Sequence, residues 1–167
     1  MLCFKKLTRL YIYDNRITKI ENLENLVNLQ HLYIERNMIS RLEGLQNCVK
    51  LEELTLHEQR LPRGATFTFD EYSLAAIAGS LRTLDLSGNQ IIECKQLYFC
   101  DRLERLDLSK NWISDLQDEV LPLLTTIRGL SFFDLRENEV QKHRKYREQV
   151  IMEGRQLQEL DGKKVRA

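Results

Sequence analysis

The chain has 167 residues, 43% of them hydrophobic, and its 25 Lys+Arg balance its 25 Asp+Glu. That is one domain's worth of chain, and the neutral charge argues against a nucleic-acid partner and gives no polybasic membrane signal. No apolar run approaches the ~18 residues that span a bilayer, and the stretch from Met1 to Lys6 is too short and charged for a signal peptide, so the expectation is a soluble, cytoplasmic protein.

A pattern close to Leu-x-x-Leu-x-Leu-x-x-Asn-x-Ile recurs six times, opening at Leu7, Leu29, Leu51, Leu81, Leu103 and Leu130. Successive openings lie 22, 22, 30, 22 and 27 residues apart. A fixed period with this signature means leucine-rich repeats. The expected fold is an α/β solenoid over residues 1–167 as a single domain. It has a parallel β-sheet on the concave side, short helices and 3-10 turns on the convex side, and a C-terminal cap over about residues 139–167. In each repeat the leucines of the strand point inward and the alternate residues point outward. Asn15, Asn37, Asn89, Asn111 and Asn138 form a column. An amide both donates and accepts, so the column can satisfy the backbone where each coil turns off its strand.

The repeats taken in order show two irregularities. The third is eight residues longer than the period and carries Gln59 in the asparagine slot. Its Leu61-Pro62-Arg63-Gly64 reads as a turn, and Asp70 reads as the cap of a short helix that buries Leu74 and Ile77. The fifth is also extended, and Asp118 to Arg128 reads as helical around Pro122. After Asn138 and Val140 the composition turns charged, with Lys142, His143, Arg144, Lys145 and Arg147. Tyr146, Val150 and Ile151 keep helical spacing, and Leu157, Leu160, Asp161, Gly162 and Val165 predict a closing strand and turn. A polar terminal repeat is what stops a solenoid from stacking further. The other end reads differently. Phe4 stands where a preceding repeat would place its last core residue, so the first strand is expected to present an open edge. Either the chain is a piece of a longer array or that edge self-associates with a second copy.

Cys48, Cys94 and Cys100 occupy apolar slots of the repeat and are expected to pack as small hydrophobes, while Cys3 lies off those slots and is expected to be exposed. Their spacing is not that of a metal site. No catalytic residue, cofactor or metal is expected. His57, flanked by Glu58 and facing Glu35, and the neighbouring Asp85 and Asp107 imitate acid–base pairs. An open concave sheet, however, gives them no water-excluding pocket.

The outward strand positions define the surface for a protein partner. In repeat order the middle position carries Tyr11, Tyr33, Thr55, Asp85, Asp107 and Asp134; the position two further on carries Tyr13, Glu35, His57, Ser87, Ser109 and Arg136. The first half is aromatic with mixed charge and the second is an acidic column. Tyrosine, tryptophan and arginine anchor interfaces more often than other residues. The candidate partner-binding residues are therefore Tyr11, Tyr13, Tyr33, Glu35, His57, Asp85, Asp107 and Trp112, the last at a variable position beside Asn111.

The 22-residue period resembles the leucine-rich repeat subclass of protein phosphatase 1 regulators, axonemal dynein light chain and a spliceosomal leucine-rich protein. The stretch from Tyr146 to Val150-Ile151, then Leu157, Leu160-Asp161-Gly162-Lys163, is similar to the cap of that subclass. Leu51-Glu-Glu-Leu54, Gln59-Arg60-Leu61-Pro62, Phe69-Asp70 and Ser80-Leu81 resemble the irregular repeat of the testis leucine-rich repeat, or phosphatase 1 regulatory subunit, family. The resemblance implies a phosphatase regulator bound to the catalytic subunit of protein phosphatase 1, near the cytoskeleton, centrosome or cilium. The alternative it implies is an adaptor in a ciliary, dynein or microtubule-organising-centre assembly. Departures are Asn138-Glu139 in place of the family's Asn-Pro, and the lack of the basic-x-Val/Ile-x-Phe docking motif. Arg128-Gly-Leu130-Ser-Phe132 comes near that motif, but Leu130 is a core position of its repeat.

Overall fold

In the computed structural model, which describes residues 4–165, each Leu-x-x-Leu-x-Leu segment supplies a three-residue strand. These are β1 (Arg9–Tyr11), β2 (His31–Tyr33), β4 (Glu53–Thr55), β6 (Thr83–Asp85), β7 (Arg105–Asp107) and β8 (Phe132–Asp134). They pair in parallel with the central residues Leu10, Leu32, Leu54, Leu84, Leu106 and Phe133 in one register. The sheet closes with a hairpin, β9 (Glu159–Leu160) and β10 (Lys163–Lys164), whose second strand runs antiparallel. This is the expected closing strand and turn.

The core is the stacked apolar side of these coils. Leu32, Leu54, Leu84, Leu106 and Phe133 are all at or below 2% exposure, whereas Leu7, Leu10, Ile12 and Ile17 of the first repeat are only partly buried. Each fully buried side chain contributes about 1.5–3 kcal/mol relative to exposure, so the first coil holds the least of this stabilisation. Phe4 is 60% exposed beside it. Cys48, Cys94 and Cys100 are free and fully buried. Burial pushes the Cys48 thiol up to about 11 and Cys100 up to about 12, so these cysteines are inert core residues. Cys3 lies outside the described residues.

The asparagine column works by reaching across repeats. Asn111 Oδ1 accepts from the backbone N–H of both Asn89 and Ile91, while its amide donates to the carbonyls of Leu86, Leu108 and Ser109. Gln59 performs the same task in the third repeat, accepting from Ile39 N and donating to Ile34 O and Leu56 O. The residue before the column adopts a left-handed backbone in every repeat: Asp14, Arg36, Glu58, Gly88, Lys110 and Glu137 have φ between 52° and 69°. Only one of these six is glycine, and nothing in the residue types announces the conformation.

The side opposite the sheet carries tight turns in the regular coils and helices in the long ones. α1 (Glu71–Ile77) begins at Asp70, whose carboxylate accepts from Ser73 N at 2.9 Å, and it buries Leu74 and Ile77 as expected. α2 (Leu121–Thr126) follows a wide π-turn over Leu116–Val120, two residues earlier than the sequence suggests, and has Pro122 near its start. α3 (Tyr146–Glu153) packs on α2 in the cap. One element is unforeseen. β5 (Thr68–Phe69), from the insertion in the third repeat, pairs in parallel with β3 (Arg41–Leu42) as a second, two-stranded sheet. Among the described residues no helix is long and apolar enough to cross a membrane.

Candidate functional site: the outward face of the sheet

Strand alternation turns Tyr11 and Tyr33 outward on adjacent strands in register, and their rings stack at 4.6 Å with planes 4° apart. His31 lies parallel to Tyr33 at 6.4 Å. Glu53, one strand further on, gathers both: it accepts from Tyr33 Oη at 2.9 Å and lies 3.0 Å from His31 Nδ1. Burial and the Glu53 carboxylate push the Tyr33 phenol up to about 12. Tyr11 remains 57% exposed. Just beyond the strand, Tyr13 lies under the Arg36 guanidinium at 5.9 Å. Arg36 and Arg60 both bind Asp14, and the Arg36 contact is two-pronged at 2.9 and 2.7 Å. Those guanidinium groups hold the Asp14 carboxyl below its usual range, with Arg36 the larger influence.

The centre of the face corrects one expectation. His57 does not use Glu35; Glu35 instead accepts from Thr55 Oγ1 at 2.6 Å. The Nδ1 of His57 lies 3.2 Å from Asp85, close enough for a charge contact yet not aligned as a hydrogen bond. The carboxylate raises the imidazole above its ordinary value against the opposing effect of burial. Burial acts to raise Asp85 as well, but His57 and the Ser87 N–H and hydroxyl together hold it below the ordinary carboxylate value.

Asp85, Asp107 and Asp134 stand in register on β6, β7 and β8. Their compensation is uneven. Asp134 is gripped by Arg136 through backbone and guanidinium, and Asp85 has His57. Asp107 accepts from Ser109 N at 2.8 Å and, among the described residues, has no cation within ion-pair distance. Burial first, then the flanking Asp85 and Asp134, raise its carboxyl. Arg105, the nearest strand arginine, lies 4.0 Å over the Phe132 ring instead.

The structure therefore brings Tyr11 and Tyr33 together, and Asp85 with His57 and Asp107. Tyr13 and Glu35 flank these groups. Trp112 is 45% exposed but lies past the asparagine turn of the fifth repeat, off the sheet face, in a shallow hollow with Lys110, Glu137 and Gln141. Sequence reasoning missed Glu53, Arg105 and Phe132. All three occupy the outward position before the central residue of the strand, a column as regular as the one that was read. Leu130 is fully buried where the exposed turn at Arg128 and Gly129 leads into β8, so its side chain belongs to the core of its repeat. Among the described residues no group of three or more His, Cys, Asp or Glu side chains is placed to hold a metal.

The two-copy model of leucine-rich repeats matches residues 5–47 and 80–123. The fold is similar to a chain in the crystal structure of the Drosophila melanogaster SNF/U2A' complex, with a TM-score of 0.55 and 23% identity over 95% of this chain and 73% of that one. It is also similar to a chain of the Chaetomium Mex67:Mtr2 subunits, with a TM-score of 0.54 and 23% identity over 68% of this chain and 82% of that one. At such identities the likeness is one of fold alone.

Proposed function

The chain belongs to the leucine-rich repeat family, and from that premise we propose that it is a non-catalytic scaffold that holds a protein partner against the outward face of its sheet. The observation that carries this reading is the stacked Tyr11–Tyr33 pair, its Tyr11 ring open to solvent and its half-buried Tyr33 ring anchored by Glu53. Aromatic groups fixed in this way lose little conformational entropy on binding. Six strands about 4.8 Å apart make a face wide enough for a standard interface of ~800 Å² per partner.

For the partner we propose the catalytic subunit of protein phosphatase 1. Support comes from the likeness of the long third repeat and of the cap to the phosphatase-regulator subclass. On that reading the protein works in the cytoplasm, at the cytoskeleton, centrosome or cilium. A second reading, an adaptor in a cytoskeletal or dynein assembly, is favoured by the exposed Arg144 and Lys145 at the entry to α3, away from the sheet face. Calorimetric titration with the phosphatase catalytic subunit separates them. Binding at micromolar strength or better, lost in the Tyr33→Ala/Asp85→Ala double variant, supports the first. No binding of the phosphatase by the folded chain rejects it and leaves the second, which is then tested by charge reversal at Arg144 and Lys145 against cytoskeletal partners.

A further inference from the structure

The whole chain is neutral, but its sheet face is not. Among the described residues the strands turn Glu53, Asp85, Asp107, Asp134 and Glu159 outward against Arg9, Arg105 and, opposite Glu159 in the closing hairpin, Lys164. With Arg105 spent on the Phe132 ring and Arg136 on Asp134, the excess negative charge centres on Asp107. A separate feature at the other end of the face favours the same kind of ligand. The Tyr11–Tyr33 stack offers an exposed aromatic face with the Glu53 carboxylate at its rim, and such a face attracts ammonium and guanidinium groups.

We infer that the partner presents a basic segment to this face, seating one Lys or Arg side chain on Asp107 between Asp85 and Asp134 and a second over the Tyr11–Tyr33 rings. The inference rests on the reading that the partner lies on the sheet face and adds its chemistry. The two anchor points are four strand spacings apart along the order β1-β2-β4-β6-β7, roughly 19 Å at about 4.8 Å per strand. An extended segment of about six residues spans that distance. The acidic centre also steers such a segment to its site, so association slows as salt screens it.

The test is a nuclear magnetic resonance titration of the full chain with an acetylated, amidated Arg-Gly-Lys repeat peptide. The control is the same peptide with citrulline and acetyl-lysine in place of its cations. Amide shifts on the strands from β1 to β8 that the segment crosses, β4 and β8 included, are expected with the basic peptide and not with the control. Asp107→Asn keeps the acceptor for Ser109 N–H and removes the charge. It should weaken binding by about tenfold or more, and Tyr11→Leu should remove the β1 and β2 shifts alone. Shifts elsewhere, equal binding of the control peptide, or indifference to Asp107→Asn overturns the inference. Failure of the underlying reading is separable. A phosphatase that binds and is blocked by Tyr33→Ala/Asp85→Ala, yet ignores Asp107→Asn and salt, leaves the face as the interface and removes only the basic segment. A phosphatase indifferent to the double variant removes the face itself.

Discussion

The first and fifth repeats spell nearly the same sentence, Leu7-x-x-Leu10-x-Ile12-x-x-Asn15-x-Ile17 and Leu103-x-x-Leu106-x-Leu108-x-x-Asn111-x-Ile113, and obtain different things from it. In the fifth, flanked by neighbours, every apolar position is buried and Asn111 ties its own coil to the one before it. In the first, at the end of the sheet, the apolar positions are half open, and Asn15 donates only to Ile12 and Tyr13 of its own turn. A repeat's stability lies in its interfaces as much as in its own residues. The asparagine slot is worth what the adjoining coil presents to it.

The sharpest way to break that comparison is one truncation in each repeat. Asn111→Ala strands the buried N–H groups of Asn89 and Ile91, each costing about 1–3 kcal/mol, so a total loss of about 4 kcal/mol is expected in urea unfolding. Asn15→Ala, in an exposed turn, should stay within about 0.5 kcal/mol. Equal losses would show that the column acts within each coil.

Close coil contact can be probed at the glycines. A Cβ at Gly44 would stand 2.0 Å from the Ile20 carbonyl oxygen, on a backbone with φ of +73°. Gly44→Ala must shift the first two repeats apart and should cost about 3 kcal/mol, combining backbone strain with overpacking. Gly64, with φ of +80° and open space around it, should lose only the ~1 kcal/mol of the left-handed conformation. Thermal melting of the pair checks both. A similar loss at the two sites would mean that the first coil is free to move.

A smaller and opposite effect is expected at the left-handed position itself. Lys110 is exposed, holds φ of +55°, and uses only its backbone N–H, toward Arg136 O. Lys110→Gly should stabilise the protein by about 0.5–1 kcal/mol, glycine's gain in the left-handed region being partly offset by its freedom when unfolded. Asp14 is the same position in the first repeat, and Asp14→Gly should give no gain, because it discards the contacts with Arg36 and Arg60.

The strands, the asparagine column, the Asp70 cap and the closing hairpin were legible because each repeats a spacing or a known terminal signal. What stayed hidden depends on which neighbour a side chain meets. Gln59 replaces asparagine because its longer arm still reaches the preceding coil while binding the carbonyl of Leu56 in its own. The carboxylate of Glu119 is buried to bind the N–H groups of Cys94 and Lys95, yet in the sequence it is one glutamate of a charged run. The β3–β5 pair arises from a chance of register between one regular and one long coil. On the candidate face, the columns showed which residues face out. They did not show that Thr55 would take Glu35 and leave His57 to Asp85, since that choice turns on rotamers across strands.

The His57–Asp85 contact gives the smallest effect and tests the centre of the face directly. The imidazole is raised above its ordinary value of about 6.5, so its share of stability is fully present below that pH and fades as pH climbs through the raised value. Asp85 is lowered, so its share is present above the unfolded carboxylate range and is lost as acid protonates it. Between those limits both groups are charged, and above the upper one only Asp85 is. Asp85→Asn removes the partner, so nuclear magnetic resonance titration should show the His57 ring falling back toward, or below, its ordinary value. The variant's stability should also lose the decline that accompanies loss of the imidazole proton. A His57 titration unmoved by the substitution would mean that Glu35 and Glu58, which also favour the charged ring, hold it. The His57 charge would then belong to the aromatic half of the face and not to the acidic column.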